Sequence, residues 1–153
     1  MRKLTLVLIA TAIPFTALAG VARAAEGAVD LTTCAGDGGS AVVPAGVPVA
    51  VEIAWLDSSS SLVRHFQRLQ TTTASHDGVP IASASDLWGP STNLGGAWAT
   101  TWSYSVGVLD QPGDSAVVSL DIALDKKLRS GDKSFYGPGS VTEGTITCTI
   151  TAV

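Results

Sequence analysis

The chain has 153 residues and a mass of 15.5 kDa, with a net charge of −4 and only 14% charged side chains. That length suits one ordinary domain. The excess of acids argues against a phosphate-backbone binder, whose electrostatic attraction needs clustered Lys and Arg, and against a polybasic membrane anchor.

Residues 1–24 read as a secretory signal peptide. Arg2 and Lys3 precede an apolar run over residues 4–19, and Ala22-Arg23-Ala24 offers a small-x-small cleavage pattern. Cleavage there removes three of the nine basic residues and none of the thirteen acids. Residues 25–153 are then expected to form a single, more acidic domain. The next residue is Ala25 rather than Cys, so no lipid attaches at that point. Beyond residue 24 no apolar stretch of about 18 residues is present to span a bilayer. The expected location is extracellular, either free or associated with the cell surface.

In chain order, Val29, Leu31 and Thr33 suggest a short first strand running into Cys34, with Asp37-Gly38-Gly39 as the turn after it. Cys34 and Cys148 are the two cysteines. In an exported chain they imply one disulfide, which requires the first and last strands to lie side by side. Closing so long a loop is worth about 5 kcal/mol on the chain-entropy model. A redox or metal role would want a CxxC pair or nearby His ligands, and neither occurs.

Val47, Val49, Val51, Ile53 and Trp55 alternate with Pro48, Ala50, Glu52, Ala54 and Leu56, a period of two that predicts a strand. Residues 59–69 admit two readings. Leu62, Phe66 and Leu69 recur at helical spacing behind serines able to cap. Alternatively a strand runs from Phe66 to Ser75 and turns at Asp77-Gly78, a good hairpin pair. Trp88 follows in a Gly/Pro loop, as a plug over the end of the fold or as an exposed contact residue.

Trp98, Thr100, Trp102, Tyr104, Val106 and Val108 form the next alternating face. Pro112-Gly113 then fits a type II turn, and Val118, Leu120, Ile122 and Leu124 make a further strand. Residues 125–139 have no period, gather Lys126, Lys127, Arg129 and Lys133, and end near a Pro138-Gly139 turn; they predict a surface loop or an irregular edge. Finally Ile146, Cys148 and Ile150 oppose Thr145, Thr147, Thr149 and Thr151, as a half-buried strand would. The sum predicts an all-β, antiparallel two-sheet sandwich.

Catalytic groups are scarce. His65 and His76 are the only histidines, and both read as surface residues. A Ser-His-Asp set can be drawn from the available parts, but no Gly-x-Ser-x-Gly elbow is present. Ser130-Gly131-Asp132-Lys133 matches a bare Ser-x-x-Lys pattern without its partner motifs. Asp110 and Asp114 bracket a turn and are the better of the candidate calcium ligands, but turn formation explains both. No metal or cofactor is expected. Trp98, Trp102 and Tyr104 share one strand face and, with Trp88, are the candidate binding residues. A flat aromatic row stacks on sugar rings; it also fills a sandwich core, and its continuation by Val106 and Val108 favours the core.

The Trp98-x-x-x-Trp102-x-Tyr104 strand, the Pro112-Gly113-Asp114-Ser115 turn and the Gly-Pro-Gly run before Thr147-Cys148-Thr149 resemble those of uncharacterised small secreted bacterial proteins with immunoglobulin-like sandwiches. The resemblance implies that fold and secretion, and names no activity. The function expected is non-enzymatic: binding of a macromolecule, or a structural role, with no nucleic-acid partner. A carbohydrate-binding module using the tryptophans is the alternative, and a small secreted hydrolase comes third.

Overall fold

The computed structural model describes residues 27–35, 39–138 and 145–153. The signal-peptide segment, Asp37-Gly38 and Gly139 of the two expected turns lie outside the described residues.

Strand β1 (Ala28–Asp30) leads into a 3-10 turn, Leu31–Cys34, and then β2 (Ser40–Val43) and β3 (Pro48–Asp57). Helix α1 (Ser60–Leu69) connects β3 to β4 (Gln70–His76). Next come β5 (Val79–Pro80), a second 3-10 turn (Ala84–Leu87), β6 (Thr92–Asn93), β7 (Trp98–Val108) and β8 (Ser115–Leu124). A small hairpin, β9 (Leu128–Arg129) with β10 (Phe135–Tyr136), precedes β11 (Thr145–Ala152). One sheet has the order β1-β3-β7-β6 and the other β2-β11-β8-β4-β5, so the fold is all-β with one short helix.

The sheets are mixed, which corrects the antiparallel expectation. β1 pairs parallel with β3, and β2 pairs parallel with β11. The cause is local. Asp30 Oδ1 accepts from the Thr32 amide at 2.9 Å and the Thr32 hydroxyl at 2.8 Å. This Asx-type turn ends β1 after three residues and leads the chain out of its sheet. The 29–33 run is therefore a strand only as far as Asp30. Cys34 closes the turn and is joined to Cys148 on β11, Cα to Cα 5.2 Å, across a sequence separation of 114. The bond unites early and late parts of the chain as expected. The first and last strands, however, belong to different sheets, and it is β2 that lies beside β11.

Between the sheets lies the main core, where Val49, Val51, Trp102, Val118, Leu120, Cys148 and Ile150 are at most 1% exposed. These are the alternating faces predicted for β3, β7, β8 and β11. Burying each such side chain stabilises the fold by roughly 1.5–3 kcal/mol. A register shift between Val49 and Ala50 coincides with Gly107 at φ +110, so the β3–β7 ladder carries a bulge near its end.

Each rival reading of residues 59–75 holds for part of the segment. The Ser59 side chain accepts from the Leu62 amide at 3.4 Å and caps α1. Val63 and Phe66 are its buried face. At Gln70 the backbone turns extended, φ −76 and ψ 141, and the threonines enter β4. Under α1 a second core forms from Phe66, Leu124 and Leu128, with Trp55, Leu69, Trp88, Ile122 and Tyr136 packed against it. Trp55 stacks on Phe66 with ring centroids 4.3 Å apart, and Tyr136 meets Trp55 edge-on at 5.0 Å.

Residues 125–138 are thus more ordered than a plain loop. Leu128 is fully buried in the second core. The buried Asp57 carboxylate accepts from the Gly131 amide at 3.0 Å and the Ser58 amide at 2.6 Å, fastening the hairpin to the end of β3. A Cβ at Gly131 would run into the Ser58 hydroxyl, so the close approach needs glycine.

Candidate functional site

Where the two sheet edges part, β4 and β7 bring together the most developed polar cluster among the described residues. Gln70, Thr72, Ala74 and His76 alternate along β4 toward the interior, and β4 ends at Asp77-Gly78. Both turn residues have left-handed backbones, φ +49 and +77, the geometry of a tight hairpin. The chain returns through β5, with His76 opposite Val79. Asp77 also accepts from the Val117 amide at 2.7 Å, pinning the turn to β8.

His76, on one sheet, meets Tyr104 of β7, on the other, through their side chains. His76 Nδ1 lies 3.2 Å from the Tyr104 hydroxyl, and the two rings meet edge-on with centroids 5.7 Å apart. His76 Nε2 is 3.5 Å from the Asp77 carboxylate, and the His76 side chain is only 25% exposed. These groups form one wall of an open groove of about 480 Å³, completed by Val79, Pro80, Ile81 and Ala82. Its lining is mostly apolar, with an imidazole, a phenol and a carboxylate at one end. Beside the groove, β7 residues 104–108 pair with β3 on one side and have no strand partner on the other among the described residues. β6 reaches only Trp98 and Ala99, and the Trp88–Trp102 bridge follows.

The aromatic candidates separate. Trp102 is fully buried, its indole N–H donating to the Ala84 carbonyl at 2.7 Å. Its face is closed to a sugar ring. Trp88 is half-buried between the layers; it donates to the Thr72 hydroxyl at 2.9 Å and meets Phe66 edge-on. That is the position of a plug. Trp98 is half-buried at the start of β7, opposite Asn93. Tyr104 alone of the four lines the groove.

The remaining candidates stand apart. His65 is half-buried on α1. Asp114 accepts from the Gln111 amide at 2.9 Å, the turn role expected of it. Lys133 donates its amide to the Ser130 carbonyl in a turn with φ +70, so the Ser-x-x-Lys pattern is not helical. Among the described residues no three His, Cys, Asp or Glu side chains converge as metal ligands, and no helix is long and apolar enough to cross a membrane. The inward position of His76 was missed, although the β4 alternation Thr72, Ala74, His76 carries the signal. Asp57 was missed in the same way, since it continues the parity of Val51, Ile53 and Trp55.

No protein-family model matches the chain, and a search of curated proteins finds no significant match.

Proposed function

We propose that the chain is an exported, non-enzymatic binding protein with an immunoglobulin-like sandwich, and that its ligand is an extended macromolecule held beside Tyr104. The immunoglobulin-like assignment rests on the division of the N-terminal strands between the two layers and on the buried Trp102 in the core that holds the disulfide. Export rests on the leader pattern in residues 1–24 and on the disulfide, which persists in oxidising compartments. The binding role rests on one observation above all. The apolar groove adjoins a length of β7 whose outer edge has no strand partner among the described residues. An extended segment adding there gains main-chain hydrogen bonds from the edge and places alternate side chains into the groove.

Trp102 lies beside Tyr104, ring centroids 6.2 Å apart, so its fluorescence reports occupation of the groove. Selection from a displayed library of extended peptides, followed by fluorescence titration, is expected to yield binders that Tyr104→Ala weakens at least about tenfold. A glycan reading is favoured by the phenol in the groove, and an array that selects polysaccharides sensitive to the same substitution would establish it instead. Hydrolysis of ester, peptide or glycoside substrates that is lost in His76→Ala would overturn both. N-terminal sequencing of exported material is expected to begin at Ala25; retention of residues 1–24 would refute export by this leader.

A further inference from the structure

Away from the groove, the molecule is divided by charge. Arg64, Arg68, Lys126, Lys127, Arg129 and Lys133 are all the lysines and arginines among the described residues. Every one of them is exposed, and every one lies on α1 or on the segment from the end of β8 to β10. These elements form one end of the sandwich. The Asp125 amide donates to the Leu69 carbonyl at 3.0 Å, which sets Lys126 and Arg68 on adjoining backbone. Leu128 packs beneath Phe66, so the flanking Lys127 and Arg129 are held at the surface next to the helix. Arg64 and Arg68 occupy the helix face opposite Val63 and Phe66, one turn apart.

These cations are not neutralised in place. Among the described residues no Lys or Arg lies within salt-bridge distance of a carboxylate, and the one histidine–carboxylate contact, His76 with Asp77, is near the opposite end of β4. Three acids among the described residues lie near the basic end. Asp57 is buried and holds the Ser58 and Gly131 amides; Asp132 accepts from the Ser134 amide and hydroxyl at 2.8 and 3.0 Å; Asp125 is exposed. The Arg129 guanidinium sits over the Phe135 ring, 6.0 Å from its centroid, and Phe135 is itself 60% exposed. A chain that is acidic overall therefore presents a local cationic surface, which the net charge conceals.

We propose that this end binds an anionic polysaccharide, through ion pairs from α1 and the β9–β10 hairpin and stacking of a sugar ring at Phe135. Charge complementarity selects a polyanion. One large exposed aromatic offers too little apolar area for membrane anchoring and lacks the row of rings on which single-stranded nucleic acid stacks. The site is separate from the groove and does not depend on the reading given to it.

Dextran sulfate and uncharged dextran share a backbone and make the probe and its control. At low salt the protein is expected to bind dextran sulfate and not dextran, with affinity falling about tenfold or more as NaCl rises from about 50 to 200 mM. Arg64→Gln with Arg68→Gln, and separately Lys127→Gln with Arg129→Gln, are each expected to weaken binding at least about fivefold, with an unchanged thermal midpoint as the check on folding. Tyr104→Ala is expected to leave this binding unaltered. Phe135→Ala is expected to weaken it by a factor that persists at high salt. The proposal is overturned by absence of binding at low salt, by indifference to both cation pairs, or by equal binding to duplex DNA. Tighter binding to vesicles containing about 30% phosphatidylglycerol would overturn it in favour of a lipid surface.

Discussion

Phe66 is the side chain on which the second core turns, and Phe66→Ala tests whether that core is a real unit of stability. The ring is fully buried, stacked on Trp55 at 4.3 Å with the planes 1° apart and met edge-on by Trp88 at 4.9 Å. Truncating a buried phenylalanine costs about 3–5 kcal/mol, combining lost transfer energy with the cavity left behind. The upper part of that range applies here, because the two aromatic contacts add about 0.5–1.5 kcal/mol each beyond area burial. Relaxation is limited, since α1 is held by β3, β7 and β9 and cannot collapse freely. A domain of this size loses roughly 10–20 °C of thermal midpoint for such a change. Urea denaturation followed by tryptophan fluorescence and by far-ultraviolet circular dichroism measures the difference, with Val42→Ala, at a position 69% exposed, as the control. Val42→Ala is expected to fall within about 0.5 kcal/mol of the parent. A loss below about 1 kcal/mol for Phe66→Ala would mean that α1 contributes little packing and that the second core is not a unit.

Three further outcomes are expected. Replacing Cys34 and Cys148 together by Ser releases a loop of 114 residues and should cost about 2–5 kcal/mol; a melting midpoint indifferent to reductant would refute the structural role of the bond. Gly131→Ala should destabilise by about 1–3 kcal/mol, since its methyl meets the Ser58 hydroxyl, and adding Ser58→Gly should recover most of the loss; a neutral single variant would show that the hairpin is not fastened at Asp57. Burial foremost, then the Asp132 and Asp57 carboxylates, raises the Tyr136 phenol above its ordinary 10.0. The folded state thus holds this proton more tightly than the unfolded state. The stability it contributes is fully present below pH 10 and is lost as pH rises through the folded value. Tyr136→Phe should flatten that alkaline slope, and an unchanged slope in urea unfolding above pH 10 would refute the assignment.

The long strands were legible because their period of two is enforced by burial on one face. Val49 and Val51, Val118 and Leu120, and Cys148 and Ile150 all point where their alternation says. Departures arose where a local polar group outweighs the period. Asp30 bends the chain after three residues of β1, so Leu31 and Thr33 are turn rather than strand. The helix and strand signals of residues 59–75 both hold, and only the boundary at Gln70 had to be supplied by packing of Phe66. Parallel pairing carries no residue signature of its own and was not legible. The groove was partly so. Tyr104 was singled out for an aromatic row and lies in the groove for a different reason, its side-chain contact with His76 across the two sheets. The basic end was half visible, since Lys126, Lys127, Arg129 and Lys133 are close in sequence. Arg64 and Arg68 join them only through the contact of α1 with β9.

The placement of the two sulfurs also orders events in time. Cys34 is made early and Cys148 more than a hundred residues later, in the strand that lies between β2 and β8 in the folded sheet. Until then the Cys34 thiol has no mate within the chain, because the described residues contain no other cysteine. Oxidation between the two sulfurs therefore registers that synthesis has passed Cys148. A pool of chains still reactive toward thiol reagents measures, at any moment, the fraction in which this bond has not yet closed.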